Sequence, residues 1–291
     1  MRKLSAEKRA AILTALVEGN SVNATARITG ASKITVLRLL ADAGTLCAEL
    51  HDAHVRNLAT KRVQVDEVWS FVGCKQRTKE RGGKGEGDSW VWAALDADSK
   101  LCIDHHVGAR EVDDAHAFMG KVAKRLAGRV QLTSDGLSAY WHAVVVAFDC
   151  EVDFAMLVKE FQNVYPGAGR YSPPAVIRIT KKPRIGKPEE AHISTSFVER
   201  QNLTMRMGMR RFTRLTNGFS KRLENHKHAI ALHYWHYNFA RKHMTIKTMP
   251  AVAAGIADRA LTMLDLAQML EAAEAKAGGR LTGYLPAESS K

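Results

Sequence analysis

Three carboxylates stand in settings that separate them from the other acidic residues. Asp66 interrupts the apolar run "VQVDEVWSF", where an ionised side chain is costly to bury without a partner. Asp135 ends the strand-like "RVQLTSD" and enters a glycine turn, at the edge of a sheet where sites in such folds collect. Glu199 lies near the start of "STSFVERQNLTMRMGMRRF", a stretch with helical spacing. Taken singly, each has a plain reading: a strand-end ion pair for Asp66, a turn former for Asp135, a helix-surface partner for a nearby basic residue for Glu199. Taken jointly, they suit one chemistry. Carboxylates held close repel one another, and hard divalent cations with oxygen ligands relieve that repulsion, above all Mg²⁺, with Mn²⁺ as its substitute. Two such ions about 3.5–4 Å apart clamp the attacking and leaving oxygens of an in-line displacement at phosphorus.

The elements that must position these residues follow from periodicity. At 100° per residue, Thr195, Glu199, Asn202, Arg206 and Arg210 fall within roughly 60° of one direction on a helix starting near Ser194, while Val198, Met205, Met209 and Phe212 gather on another side. An arginine fork suits a phosphate, so Arg206 and Arg210 are expected to bind the phosphates of a polyanionic partner beside Glu199. "VQVDEVWSFVG" reads as a buried strand, and "SWVWAALDADSKLCIDHHV" as two strands joined by a polar turn at Asp96–Lys100. A helix capped by Asp113 follows, then the strand ending at Asp135 and another helix. This β-β-β-α-β-α order specifies an α/β fold with a mixed sheet and packed helices. Prolines at 166, 173, 174, 183 and 188 predict an irregular segment over 156–191. His105 and His106 alternate across a strand and read as packing or solvent residues, and Asp96 as turn chemistry.

Ahead of this body, residues 5–44 read as three short helices. Ser5 caps the first, Gly19-Asn20 and Gly30 stop the first and second, and Ser32 caps the third. Two helices joined by a tight glycine turn make a helix-turn-helix pattern, which would turn Lys33, Thr35 and Arg38 towards DNA. The predicted organisation is a helix-turn-helix domain at 1–45, a helical linker at 46–62, a catalytic domain at 63–245 and a helical tail at 246–291 that packs or docks a partner.

Lys and Arg number 43 against 30 Asp and Glu, a net charge of +13, and 46% of the 291 residues are hydrophobic. A body with that core and charge favours a polyanionic partner, and the basic runs "KKPRIGK" and "RMGMRRFTRL" alternate with apolar residues as a binding surface does. Cys47, Cys74, Cys102 and Cys150 are spread singly, without zinc or redox spacing. They read as thiols of a reducing compartment, and "AAILTALV" is too short for a membrane span, so a cytoplasmic protein is expected.

"VDEVWSFVG", "TSDGLSAY" and "STSFVERQNLTMRMGMRRFTRLTNGFSK" resemble the DDE transposases of bacterial insertion sequences, in the family named after insertion sequence one. The resemblance covers about 60–245 and is most specific in its third stretch. It implies a ribonuclease-H-like core in which Asp66, Asp135 and Glu199 are the catalytic, metal-binding triad for two ions, with Asn202 and Arg206 beside it as DNA or metal-shell contacts. It also implies terminal-repeat and target DNA as partners, and a homo-oligomer assembled on that DNA. Relatives often carry a cysteine zinc motif before the helix-turn-helix, and none stands here, so end recognition is expected to rest on the helices. An inactive helix-turn-helix regulator and a nuclease that cuts without joining are the alternatives.

Overall fold

Three serine-capped helices open the chain. In the computed structural model, which describes residues 4–162, 175–213 and 216–282, Ser5, Ser21 and Ser32 each accept the backbone N–H three residues on. These caps start α1 (Ala6–Val17), α2 (Val22–Thr29) and α3 (Lys33–His54). Gly30, at φ 68°, closes α2 in the left-handed conformation that favours glycine.

The stop expected near Gly44 does not occur, and α3 runs through it to His54. A Cβ at Gly44 would lie 2.5 Å from that of His228, so this glycine serves the close crossing of α3 with α8 (Leu223–Trp235). The predicted linker is core instead: Leu46, Cys47, Val55 and Leu58 are buried. The predicted tail also joins this layer, through α9 (Pro250–Ala253) and α10 (Met263–Lys276). Leu266 and Leu270 of α10 are fully buried among residues of α1 and α3, and Glu274 pairs with the buried Arg9 at 2.9 Å. The boundary predicted at residue 45 thus falls inside a helix.

The sheet contains β1 (Arg62–Val72), β2 (Gly87–Asp96), β3 (Cys102–Gly108), β4 (Gln131–Ser134), β5 (Asp153–Gln162) and β6 (Ala175–Ile185), ordered β3-β2-β1-β4-β5-β6. The pairs β1–β4 and β4–β5 are parallel; the other three are antiparallel. A short α4 (Gln76–Lys79) follows β1, α5 (Val112–Ala123) joins β3 to β4, and α6 (Ala139–Phe148) joins β4 to β5. This mixed α/β arrangement is compatible with a ribonuclease-H-like core. Side chains alternate across the strands as period two requires. Val63, Val65, Trp92, Leu132 and Phe154 pack with Phe118 of α5 and Tyr140 of α6. Val68, Val91, Ala93 and Leu95 pack with Val198 and Met205 of α7 (Ser196–Gly208) and Tyr234 of α8.

Two further expectations are corrected. Of the segment 156–191, the described residues 156–162 and 175–185 are not irregular, because they belong to β5 and β6, which pair antiparallel. Pro183 is tolerated on the edge strand, where the register slips beside it; Pro166, Pro173 and Pro174 lie outside the described residues. Asp113 does not cap α5 but sits in its first turn. It is Asp114 whose carboxylate accepts the Ala109 N–H at 2.9 Å and meets His106 Nε2 at 2.7 Å. Asp96 does shape its turn, accepting from the Asp98 N–H and the Ser99 hydroxyl. Among the described residues, no helix is long and apolar enough to cross a membrane.

Candidate active site

Strand register brings the first two acids together. β1 and β4 run parallel with Gln64 opposite Thr133, so two residues further on Asp66 comes level with Asp135, the first residue beyond β4. Asp135 does form the turn that its Asp-Gly sequence suggests, accepting the Leu137 N–H on Oδ1 at 2.9 Å. That bond leaves Oδ2 directed elsewhere, and the nearest cation is Arg110, at 3.8 Å. Turn former and site residue are therefore compatible roles.

The third member of this cluster is Glu67, which does not stand out in the sequence. Oxygens of Asp66, Glu67 and Asp135 lie within 4.8 Å of one another. Glu67 alternates to the opposite face from Asp66 and is only 8% exposed. It survives there because each oxygen is paired: Oε1 accepts from Arg110 at 2.5–2.6 Å, and Oε2 accepts from the Tyr140 hydroxyl at 3.1 Å. Arg110 in turn lies over the Trp90 ring at 4.9 Å. The signal available in the sequence was the Asp-Glu doublet inside an apolar strand, since alternation must bury one of the two.

Crowding raises the proton affinity of these groups. Asp66 is pushed up to about 7, first by burial and then by the charges of Glu67, Asp135 and Glu199. Burial also raises Asp135 and Glu67, the latter against the opposing pull of Arg110. Glu199 approaches from α7 on the far side. Its Oε1 accepts the Thr195 hydroxyl at 2.5 Å and pairs with Lys159 of β5. A single lysine on a strand carries no signal of its own, so Lys159 becomes visible only in the fold.

The register of α7 against the sheet is set by Gln64. This side chain, 3% exposed, points to the same face as Asp66, and its Oε1 accepts the N–H groups of Phe197 at 2.8 Å and Val198 at 3.2 Å. Thr195 makes no side-chain cap, so the strand itself caps the helix that carries Glu199. Asn202, three residues beyond Glu199, is buried and donates from Nδ2 to Asp66 Oδ2 at 2.8 Å.

The arginines separate. α7 ends at Gly208, and Met209 is extended (φ −121°, ψ 112°), so Arg210 enters a 3₁₀ turn and leaves the helical face it was expected to share with Glu199. Arg206 stays in the last turn of α7. Arg210 lines a groove of about 430 Å³ together with Lys33, Leu37, Phe219 and Lys221. Thr35 and Arg38 face a different depression, shared with Glu274 and Arg280. The three helix-turn-helix candidates are thus divided between two grooves.

No family model and no curated protein matches the chain. Among solved structures, the piggyBac transposase in a synaptic complex with hairpin DNA is similar over 92% of this chain and 71% of that one, at 10% identity and a TM-score of 0.36. A likeness that loose transfers no feature from that protein to this one.

Proposed function

We propose that this protein is a DNA transposase of the bacterial insertion sequence one type, which binds the ends of its own element and cuts and joins DNA by metal-dependent phosphoryl transfer. The observation that carries this reading is the convergence of acids at the β1–β4 junction, with Asp66 pushed up to about 7. Such a group is unfavourable alone and favourable around a hard cation, and its all-oxygen donors fit Mg²⁺ or Mn²⁺. Asp66, Asp135 and Glu199 would hold one or two ions. Glu67 and Asn202 act behind them: Glu67 fixes Arg110, and Asn202 fixes the rotamer of Asp66.

Held by these carboxylates, such ions would supply charge neutralisation for an in-line displacement at a phosphodiester. The chain's own groups do the positioning. Arg110 offers a guanidinium beside Asp135, and Arg206 continues from Glu199 along α7. Lys33, Arg210 and Lys221 supply a cationic wall for duplex DNA beside α3, in a chain of net charge +13. Water attacks first and frees a 3′ hydroxyl; that hydroxyl then attacks target DNA, on a homo-oligomer assembled in the cytoplasm. The test is a reaction of the purified protein with a duplex of its terminal repeat, target DNA and Mg²⁺. Cleaved and joined products are expected. Cleavage without joining would make it a nuclease, and binding without either reaction would make it a regulator.

A further inference from the structure

A second group of potential metal ligands lies away from the carboxylates, where the end of α3 meets β3, the edge strand opposite β6. We propose that His51, Asp104 and His105 form a binding site for a transition-metal dication of the Zn²⁺ class, which ties α3 to the sheet. Their candidate ligand atoms all lie within 4.8 Å of one another.

The proton positions favour a metal. His51 is 4% exposed, and its Nε2 lies 3.0 Å from the carbonyl oxygen of Ile103. A carbonyl only accepts, so Nε2 carries the hydrogen; burial holds the ring neutral, which leaves Nδ1 as a bare lone pair. That Nδ1 is buried and has no hydrogen-bond partner, and the same is true of Nδ1 of His105. His51 thus gives one N–H to a backbone carbonyl and keeps its other nitrogen free, the arrangement that orients metal-binding histidines.

Packing accounts for the rings but not for these nitrogens. The rings of His51 and His105 meet edge to face at 5.6 Å, and His105 stacks on Tyr234 at 4.7 Å. Neither contact gives these buried nitrogens a hydrogen-bond partner. Asp104 completes the set. Its Oδ2 accepts from Arg125 Nε at 2.5 Å and its Oδ1 accepts from the His105 N–H at 2.7 Å, which leaves each oxygen a further lone pair. Arg125 brings a positive charge towards the site, but it is also 3.3 Å from Asp52. Lys121 adds a second positive charge near His105, so Asp104 and Asp52 roughly balance the two cations around the site, and the attraction for a metal rests on the free ring nitrogens. Two imidazoles and a carboxylate suit Zn²⁺ or Co²⁺ better than Mg²⁺, and three protein donors leave a position for water.

The experiment uses the full chain carrying Asp66→Asn and Asp135→Asn, so that the carboxylate cluster cannot report. After chelation and desalting, Zn²⁺ is titrated against a chromophoric competitor, and Co²⁺ is followed by its visible absorption. One ion per chain and a raised melting temperature are expected, with no response to Mg²⁺. His51→Gln and His105→Gln, checked for folding by circular dichroism, should each weaken Zn²⁺ at least tenfold. Nitrogen NMR of the imidazoles, which needs no variant, should show the Nδ1 resonances of two histidines moving on addition of Zn²⁺. Absence of a bound ion, unchanged affinity in either folded histidine variant, or unmoved imidazole resonances would overturn the site.

Discussion

At the scale of single residues, the site is a set of charges whose balance changes with protons and cations. Asp66 binds its proton more tightly in the folded chain, at about 7, than at its ordinary value of 3.8. Its protonated form therefore favours folding. The contribution is fully present below about pH 4 and is lost as pH rises towards 7. In EDTA, stability should fall across that window, and Asp66→Asn should flatten the fall and raise the melting temperature at pH 8 by about 2–4 °C for each kcal/mol of repulsion removed. Thermal melts from pH 4 to 8 measure this; an Asp66→Asn protein less stable than the parent at pH 8 would mean that Asp66 belongs to a structural ion pair. The same proton competes with Mg²⁺, so at subsaturating Mg²⁺ cleavage should rise with pH as Asp66 loses its proton, and raising Mg²⁺ should shift that rise to lower pH. Lys159 also opposes the cation by pairing with Glu199 in its absence. Partly exposed pairs of this kind are worth up to ~1 kcal/mol, so Lys159→Met should tighten Mg²⁺ binding by up to about fivefold, read by metal-induced stabilisation at low salt. Weaker binding in that variant would show that Lys159 supports the site.

At the scale of elements, the hydrophobic pattern made much of the frame legible. Alternation in "VQVDEVWSF" and helical spacing after Glu199 place Asp66 on a strand and Glu199 on a helix, and the structure agrees. What alternation could not disclose was pairing across the sequence. Glu67 joins the acids only because Tyr140 and Arg110, remote in the chain, satisfy its buried oxygens. Gln64 in "VQVDE" gives no local hint that it caps a helix 133 residues away. Gly44 is ambiguous for the same reason: a glycine that allows a close crossing and one that ends a helix look alike in sequence. Arg210 was placed by a helical wheel that runs past the real helix end at Gly208. Gln64 offers a direct test of how α7 is held. Gln64→Met keeps the volume but orphans two backbone N–H groups, at about 1–3 kcal/mol. Cleavage should fall with that stability loss while duplex binding is retained, measured by denaturant melts beside gel shifts. Full cleavage activity in this variant would mean that α7 is positioned by its apolar contacts alone.

At the scale of the whole molecule, the N-terminal helices are not a detachable reader. Ile12, Leu13, Val36 and Leu40 are fully or almost fully buried, in a core cluster shared with α8 and α10, and α3 passes through residue 45 without a break. Any DNA held by Lys33 would therefore be held rigidly relative to α8 and the groove around Arg210, with no flexible joint between. Removing residues 1–45 would cut α3 in mid-helix and expose the apolar faces of α8 and α10, each fully buried leucine costing about 1.5–3 kcal/mol of lost burial. The intact chain should unfold in one cooperative transition that includes the N-terminal helices, and the truncated chain should be insoluble or unfolded. Calorimetry together with amide hydrogen exchange checks this. Separate melting of residues 5–54, or a soluble, folded fragment beginning at residue 46, would restore an independent N-terminal domain. End recognition is then better probed by point changes. Lys33→Glu, at an exposed position beside the groove, should weaken duplex binding and shallow its log-log salt slope by about 0.9 while leaving the melting temperature unchanged. An unchanged slope would move the DNA away from α3 altogether.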